Sequence, residues 1–106
     1  MRRVILESPF AGDVPANVVY ARRCMRDSLA RGEAPIASHL LYTQIGILRD
    51  EDPGERQWGI DAGLAWCAVA EASVVYTDRG ISEGMRRGIA AAEAVGIPIE
   101  YRTLAG

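Results

Sequence analysis

Short apolar runs alternate with longer stretches of helical periodicity along this chain. Arg3-Val4-Ile5-Leu6-Glu7 predicts a first buried strand, closed by the turn cluster Ser8-Pro9-Phe10-Ala11-Gly12. Asp13 then suits an N-cap, with Pro15 in the first turn of a helix over about 14–31. Val14, Val18, Ala21, Met25 and Leu29 recur at helical spacing and form its expected inner face, and Gly32 ends it. Ala34-Pro35-Ile36-Ala37 predicts a second strand, with Pro35 at its beginning, where no ladder bond is required. From Ser38 to Arg49 no period holds, which implies a loop with a short helix.

Asp52-Pro53-Gly54-Glu55 is a helix start: Asp52 caps, Pro53 takes the first position, and Glu55 can reach back in a capping-box variant. That helix should run to about Ala70, with Gly59 and Gly63 on one face, where another backbone could approach. Ser73-Val74-Val75-Tyr76-Thr77 predicts a third strand, ended by Asp78-Arg79-Gly80. Ser82 caps a helix over about 83–95, Gly96 stops it, and Pro98-Ile99-Glu100-Tyr101-Arg102 predicts a fourth strand.

Strands separated by helices pair in parallel through right-handed crossovers, so helices should cover both faces of a four-stranded parallel sheet. The expected architecture is a three-layer α/β fold of strand order 2-1-3-4. In such sheets a ligand sits at the carboxyl ends of the strands, where the order reverses. That crevice lies between the first and third strands, so the loops 8–12 and 78–84 should face each other.

The 106 residues fit one domain, spanning 1–106. Hydrophobic residues are 49% and charged residues 25%, the balance of a folded globular chain rather than a disordered one. A net charge of −2 lacks the basic footprint of a nucleic-acid binder. No apolar run approaches the roughly 20 residues a bilayer requires, and Val4-Ile5-Leu6 is too short for a signal-peptide core. Cys24 and Cys67 lack CxxC spacing and are expected as buried thiols, which points to a cytoplasmic protein. One histidine and two scattered cysteines argue against structural zinc. All twelve basic residues are arginine, which excludes lysine chemistry such as a Schiff base.

The candidate chemistry gathers at the expected crevice. Ser8, Pro9, Phe10 and Gly12 precede a helix N-terminus, whose free N–H groups can hold an anion or a polar sugar; an ordinary βα turn with Phe10 in the core is the plainer reading. Asn17 could bond a ligand or be a solvated amide. His39, the lone histidine, could serve as acid, base or phosphate ligand, or be a structural loop residue, with Tyr42 and Gln44 near it. Asp78 and Glu83 place two carboxylates by one strand end, which suits chemistry at a sugar carbon. Helix dipoles also favour acids in such places. Gly80 and Gly84 permit close approach of a ligand or merely shape the turn. Arg22, Arg23, Arg26, Arg86 and Arg87 suit solvated helix faces, and Trp58 and Trp66 suit the core or a subunit contact.

Ser8-Pro9-Phe10 with Gly12 and Asn17, Ala34-Pro35-Ile36-Ala37-Ser38-His39-Leu40, Gly80-Ile81-Ser82-Glu83-Gly84-Met85, and Ala92 with Gly96-Ile97-Pro98 form a set that resembles the small proteins related to nucleoside 2-deoxyribosyltransferases. Short stand-alone members of that group occur in bacteria and bacteriophages. The resemblance covers nearly the whole chain. It implies a flavodoxin-like fold and a nucleoside or nucleotide pocket, in an enzyme that transfers deoxyribose between bases or hydrolyses the N-glycosidic bond of deoxynucleoside monophosphates. It also implies a homodimer or higher homo-oligomer whose neighbouring subunit helps close the site. Neither reaction requires a metal or other cofactor. Ser8 to Gly12, with Asn17, His39, Ser82, Gly84 and Met85, would hold the substrate, and Asp78 would lie near the sugar. The group's nucleophile is a glutamate early in the helix after the third strand. Registered on Gly84-Met85 it falls at Arg86; registered back from Gly96-Ile97-Pro98 it falls at Gly88. Neither is a carboxylate, and Glu83 stands roughly 5 Å or more from the second register along the helix axis.

Three readings follow. The first is a nucleoside- or nucleotide-binding protein acting at an N-glycosidic bond, with Asp78 and Glu83 as its acids. The second is a non-catalytic nucleotide-sensing or sequestering module without the nucleophile. The third is a structural or partner-binding protein joined through the Gly59/Gly63 face.

Overall fold

A strand flanked on both faces by helices must be apolar on both sides, and the central strands meet that demand. In the computed structural model, described for residues 1–104, β1 spans Arg2–Glu7 and β3 spans Ala72–Tyr76, which is buried throughout. The outer strands β2 (Glu33–Ile36) and β4 (Ile99–Arg102) are short and only partly buried. All pairs are parallel and the order is β2-β1-β3-β4. Val4 sits opposite Pro35, and Glu7 opposite Val75. Pro35 is the third residue of β2 rather than at its beginning, which an edge strand tolerates.

Pleating divides β1 between two cores. Val4 and Leu6 pack with Ala72, Val74 and Tyr76 under α1 (Val14–Ala30), which adds Tyr20 and Cys24. On the opposite face α4 (Glu83–Val95) buries Met85, Gly88 and Ala92. The inner stripe of α1 is Asn17, Tyr20, Ala21, Cys24 and Ser28; of the expected Val14-to-Leu29 row Ala21 is fully buried and Met25 packs against the core, while Leu29 is exposed. The helix turns these polar residues inward because each has a partner there. Asn17 Nδ2 donates to the carbonyls of Phe10 and Ala11, Tyr20 Oη to Asp78, and Ser28 Oγ to Glu33.

Glu33 receives a two-pronged ion pair from Arg102 at 2.6 and 2.7 Å. The Arg102 guanidinium, with Ser28 behind it, holds the Glu33 carboxyl at about 2. Tyr76 Oη lies beside this pair and donates to Asp27 at 2.7 Å. A network this well satisfied ties the ends of β2 and β4 to α1. Ser73, fully buried, is the exception: its hydroxyl has no hydrogen-bond partner among the described residues.

The remaining elements roof one end of the α4 face. A short helix α2 (Ser38–Leu41) follows β2 directly, and α3 (Pro53–Ala65) leads into a 3₁₀ turn, Trp66–Ala68. The α-helix therefore ends five residues before the expected Ala70, and the tighter turn brings Cys67 inward, where it is buried. Asp52 Oδ1 caps α3 by accepting from the amides of Gly54 and Glu55. Glu55 does not complete a capping box; its carboxylate accepts from Arg49 N and closes the preceding loop. The Gly59/Gly63 face packs within the chain, Gly59 against Leu48 and Tyr42, Gly63 against Ser38. No helix among the described residues is long and apolar enough to cross a membrane.

Candidate functional site

Three devices build a cavity at the carboxyl ends of β1 and β3. The first is the β1–α1 loop. Asn17 is buried beneath it and grips two of its carbonyls, while Arg79 Nε donates to Asn17 Oδ1 at 3.1 Å. Asn17 thus holds the loop and Arg79 together. It belongs to the frame of the site and not to the cavity lining. Gly12, at φ 101°, lets the chain turn into α1 and is itself exposed.

The second device is the start of α4. Ser82 Oγ accepts from Met85 N at 3.3 Å, and the Met85 sulfur lies 3.4 Å from Ser82 N, where a capping box would place a carboxylate. This fixes Ser82, Glu83, Gly84 and Met85 on the cavity wall. The third is α2, which sets His39 over Ser8. His39 Nε2 and Ser8 Oγ are 2.7 Å apart, and both line the cavity. Burial pushes the imidazole down to about 4, so it is neutral at physiological pH and engages the hydroxyl as an uncharged partner. The partner that the sequence did not reveal for His39 is Ser8.

The cavity measures about 170 Å³. An apolar cavity of about 150 Å³ accepts a benzene ring. One ring of a ligand can therefore be enclosed, with the remainder at the mouth. Ile5, Phe10, Leu48, Ile60 and Leu64 supply apolar walls, while Asp50, Glu55, Arg56 and Glu83 bring charge. Tyr42 and Thr43 also line it; Gln44 does not and is exposed.

The cavity wall also holds an acid that the sequence reading passed over. Glu7, the last residue of β1, shares a face with Ile5 and points its carboxyl under α4. Desolvation pushes that carboxyl up to about 8. A signal existed: in a strand covered on both faces, an acid in step with Ile5 must be buried. The expectation stopped at the loop beginning with Ser8.

Asp78 stands apart. Its Oδ2 accepts from Tyr20 Oη at 2.6 Å, and its carboxylate accepts from Leu104 N at 3.1 Å. It lines a shallow groove with Tyr20, Arg23 and Arg79, outside the main cavity. The structure thus brings Ser8, Phe10, His39, Ser82, Glu83, Gly84 and Met85 to one cavity. Asn17 and Gly12 shape its rim, Pro9 is buried in the loop beside it, and Asp78 faces elsewhere. Gly80, at φ 80°, turns the chain between β3 and α4. Trp58 and Trp66 are not core residues; they are 66% and 43% exposed, and Trp66 Nε1 donates to Tyr42 Oη. Cys24 and Cys67 are buried free thiols. Among the described residues, no three of His, Cys, Asp and Glu converge as metal ligands.

A parallel β2-β1-β3-β4 sheet, helices on both faces and a cavity at its switch point define an α/β protein of the flavodoxin-like kind. Residues 2–102 match the model of a family described as a domain of unknown function (DUF7768), and the chain belongs to that family. No curated protein matches it. Among solved structures it is similar to a 2-deoxyribosyltransferase from the psychrotolerant bacterium Bacillus psychrosaccharolyticus. The TM-score is 0.65 at 17% identity, covering 95% of this chain and 72% of the other. That likeness is one of fold.

Proposed function

We propose that this protein binds a nucleoside or nucleoside 5′-monophosphate in the cavity and acts at its N-glycosidic bond, by transfer or hydrolysis. The observation that carries the reading is the cavity itself. It has a ring-sized apolar space at the switch point, with the hydroxyl of Ser8 and the carboxyl groups of Glu7 and Glu83 on its walls. A flat base suits the enclosed part, and the sugar suits the polar end. The similar fold of a 2-deoxyribosyltransferase, an enzyme described as a biocatalyst for nucleoside synthesis, supports this choice of ligand. In this reading Glu83, exposed in the first turn of α4, faces the sugar carbon and stabilises cationic character there. Arg86 and Gly88 offer no carboxylate, and this favours a second reading: a module that binds the same ligand intact.

The test is chromatography of deoxynucleosides and their 5′-monophosphates incubated with the protein, with and without an acceptor base. Free base or an exchanged nucleoside is the expected result, and Glu83→Gln should abolish it without loss of fold. Intact substrates that still raise the melting temperature would establish the binding module instead. We also propose a homodimer or higher homo-oligomer, resting on the apolar side chains exposed around α2 and α3.

A further inference from the structure

Position 88 is a buried glycine in the middle of α4. A methyl group there would overlap all three atoms of the Glu7 carboxyl: Cδ, Oε1 and Oε2. The helix is thus opened at one residue, and a carboxyl from β1 fills the opening. A glycine inside a helix costs about 1 kcal/mol relative to alanine, so the opening is retained against propensity. The group it admits is unusual. Glu7 has no hydrogen bond or ion pair among the described residues, and its half-buried side chain lines the cavity. Structural acids in this chain look different: Glu33 has Arg102 and Ser28, and Asp27 has Tyr76 and Arg31. A half-buried acid on a cavity wall without a protein partner has its hydrogen-bonding capacity open to whatever enters the cavity.

We propose that Glu7 is the proton donor of this site, delivering its proton to a ring nitrogen of the nucleobase as the N-glycosidic bond breaks. The inference rests on the N-glycosidic reading above. The C1′–N bond breaks with its electron pair passing to the base, and the Glu7 O–H proton neutralises that base. Water, or the N–H of an acceptor base, then bonds to C1′ and returns a proton to the Glu7 carboxylate. The acid is regenerated, and the net change is hydrolysis or base exchange.

The surroundings keep Glu7 suited to this task. Cys67 from the 3₁₀ turn is close enough to feel its charge, and desolvation raises that thiol first, the Glu7 charge second. His39 from α2 is neutral. Asp50, Glu55 and Glu83 are the other acids on the cavity wall, and Arg56 on α3 is the one arginine lining it among the described residues. Tyr42 adds a hydroxyl. The general acid is therefore protonated at pH 7 without a dedicated partner.

The test compares wild type with Glu7→Gln on a panel of deoxynucleosides, measuring binding by calorimetry and base release from pH 5 to 10. The amide copies the shape of the neutral acid and keeps a donor, so the variant should bind within a few-fold of wild type. Its base release should fall at least about 100-fold, the usual contribution of a positioned acid. Wild-type release should decline tenfold per pH unit above about 8, and the residual rate of the variant should lack that limb. Gly88→Ala, which keeps the carboxyl but pushes it aside, should also slow release. Unchanged release and an unchanged alkaline limb in Glu7→Gln would overturn the role of Glu7 and leave the N-glycosidic reading standing. Binding without release in wild type would overturn the proton-transfer step and favour the binding module. No binding by any member of the panel would overturn both the reading and the inference.

Discussion

A carboxyl held at about 8 leaves a thermodynamic mark even without a ligand. The folded chain holds the Glu7 proton more tightly than the unfolded chain, whose carboxyl titrates near the ordinary 4.5. The stability it contributes is therefore fully present below about pH 4.5 and is lost as pH rises through about 8. At about 1.4 kcal/mol per pH unit the loss reaches at most about 5 kcal/mol, less whatever water entering the mouth restores. Glu33 works in the opposite direction. Arg102 depresses its carboxyl to about 2, so its contribution is present above 4.5 and lost as pH falls toward 2. Replacing Glu7 by glutamine removes only the alkaline loss. Urea midpoints of Glu7→Gln and wild type should be close at pH 5 and separate by pH 9, with the variant the more stable. Parallel curves across that range would show that Glu7 ionises as a solvated acid. The register with Ile5 announces that Glu7 turns inward, but its desolvation comes from elements distant in sequence, among them α4 at Gly88. His39 is similar: its partner Ser8 lies 31 positions away.

At the scale of the element, the local signals were legible where backbone chemistry alone sets the boundary. Ser82 and Gly96 bracket α4 as expected, Asp52 and Pro53 start α3, and the β2-β1-β3-β4 order is the expected one. Which face of a helix turns inward was less legible. On α1 the hydrophobic row lost to a row containing Asn17, Tyr20 and Ser28, since hydrogen bonds to other elements decide that choice. Gly88 shows the same dependence on its setting. Its meaning comes from Glu7 across the interface, and a double-mutant cycle exposes it. Gly88→Ala in wild type forces a methyl into an occupied space and should cost about 1–3 kcal/mol. With Glu7→Ala the space is empty, and the same substitution should gain up to about 1 kcal/mol from helix propensity. A reversal of sign in denaturant midpoints is the expected result. Additive effects would mean that the carboxyl does not fill the opening in α4.

For the whole molecule, the unexplained feature is the apolar surface on the roof of the cavity. Leu41, Ile45, Ile47, Trp58 and Trp66 are exposed, all on α2, the loop after it, and α3 with its 3₁₀ turn. A chain of 106 residues buries a smaller share of its surface than a larger domain does, so association is a means of covering such side chains. These elements also carry Tyr42, Leu48, Ile60 and Leu64, which form the walls of the cavity. A second copy seated there would steady the same walls. The sequence suggested a core or subunit role for the two tryptophans, and their exposure removes the first alternative. It also suggested contact through Gly59 and Gly63, which the chain instead uses for its own packing. The proposed homo-oligomer should therefore depend on Trp58. Sedimentation velocity at micromolar concentration should give a species of at least twice the chain mass of 11.5 kDa for wild type. Trp58→Arg should move it toward the monomer without changing the circular dichroism of the fold. If assembly covers the roof, ligand affinity should fall together with the sedimentation coefficient on dilution. A wild-type monomer throughout would leave the cavity complete within one chain, with α3 steadied by its own chain's contacts, among them α2, the 3₁₀ turn, α4 and the loop carrying Leu48 and Arg49.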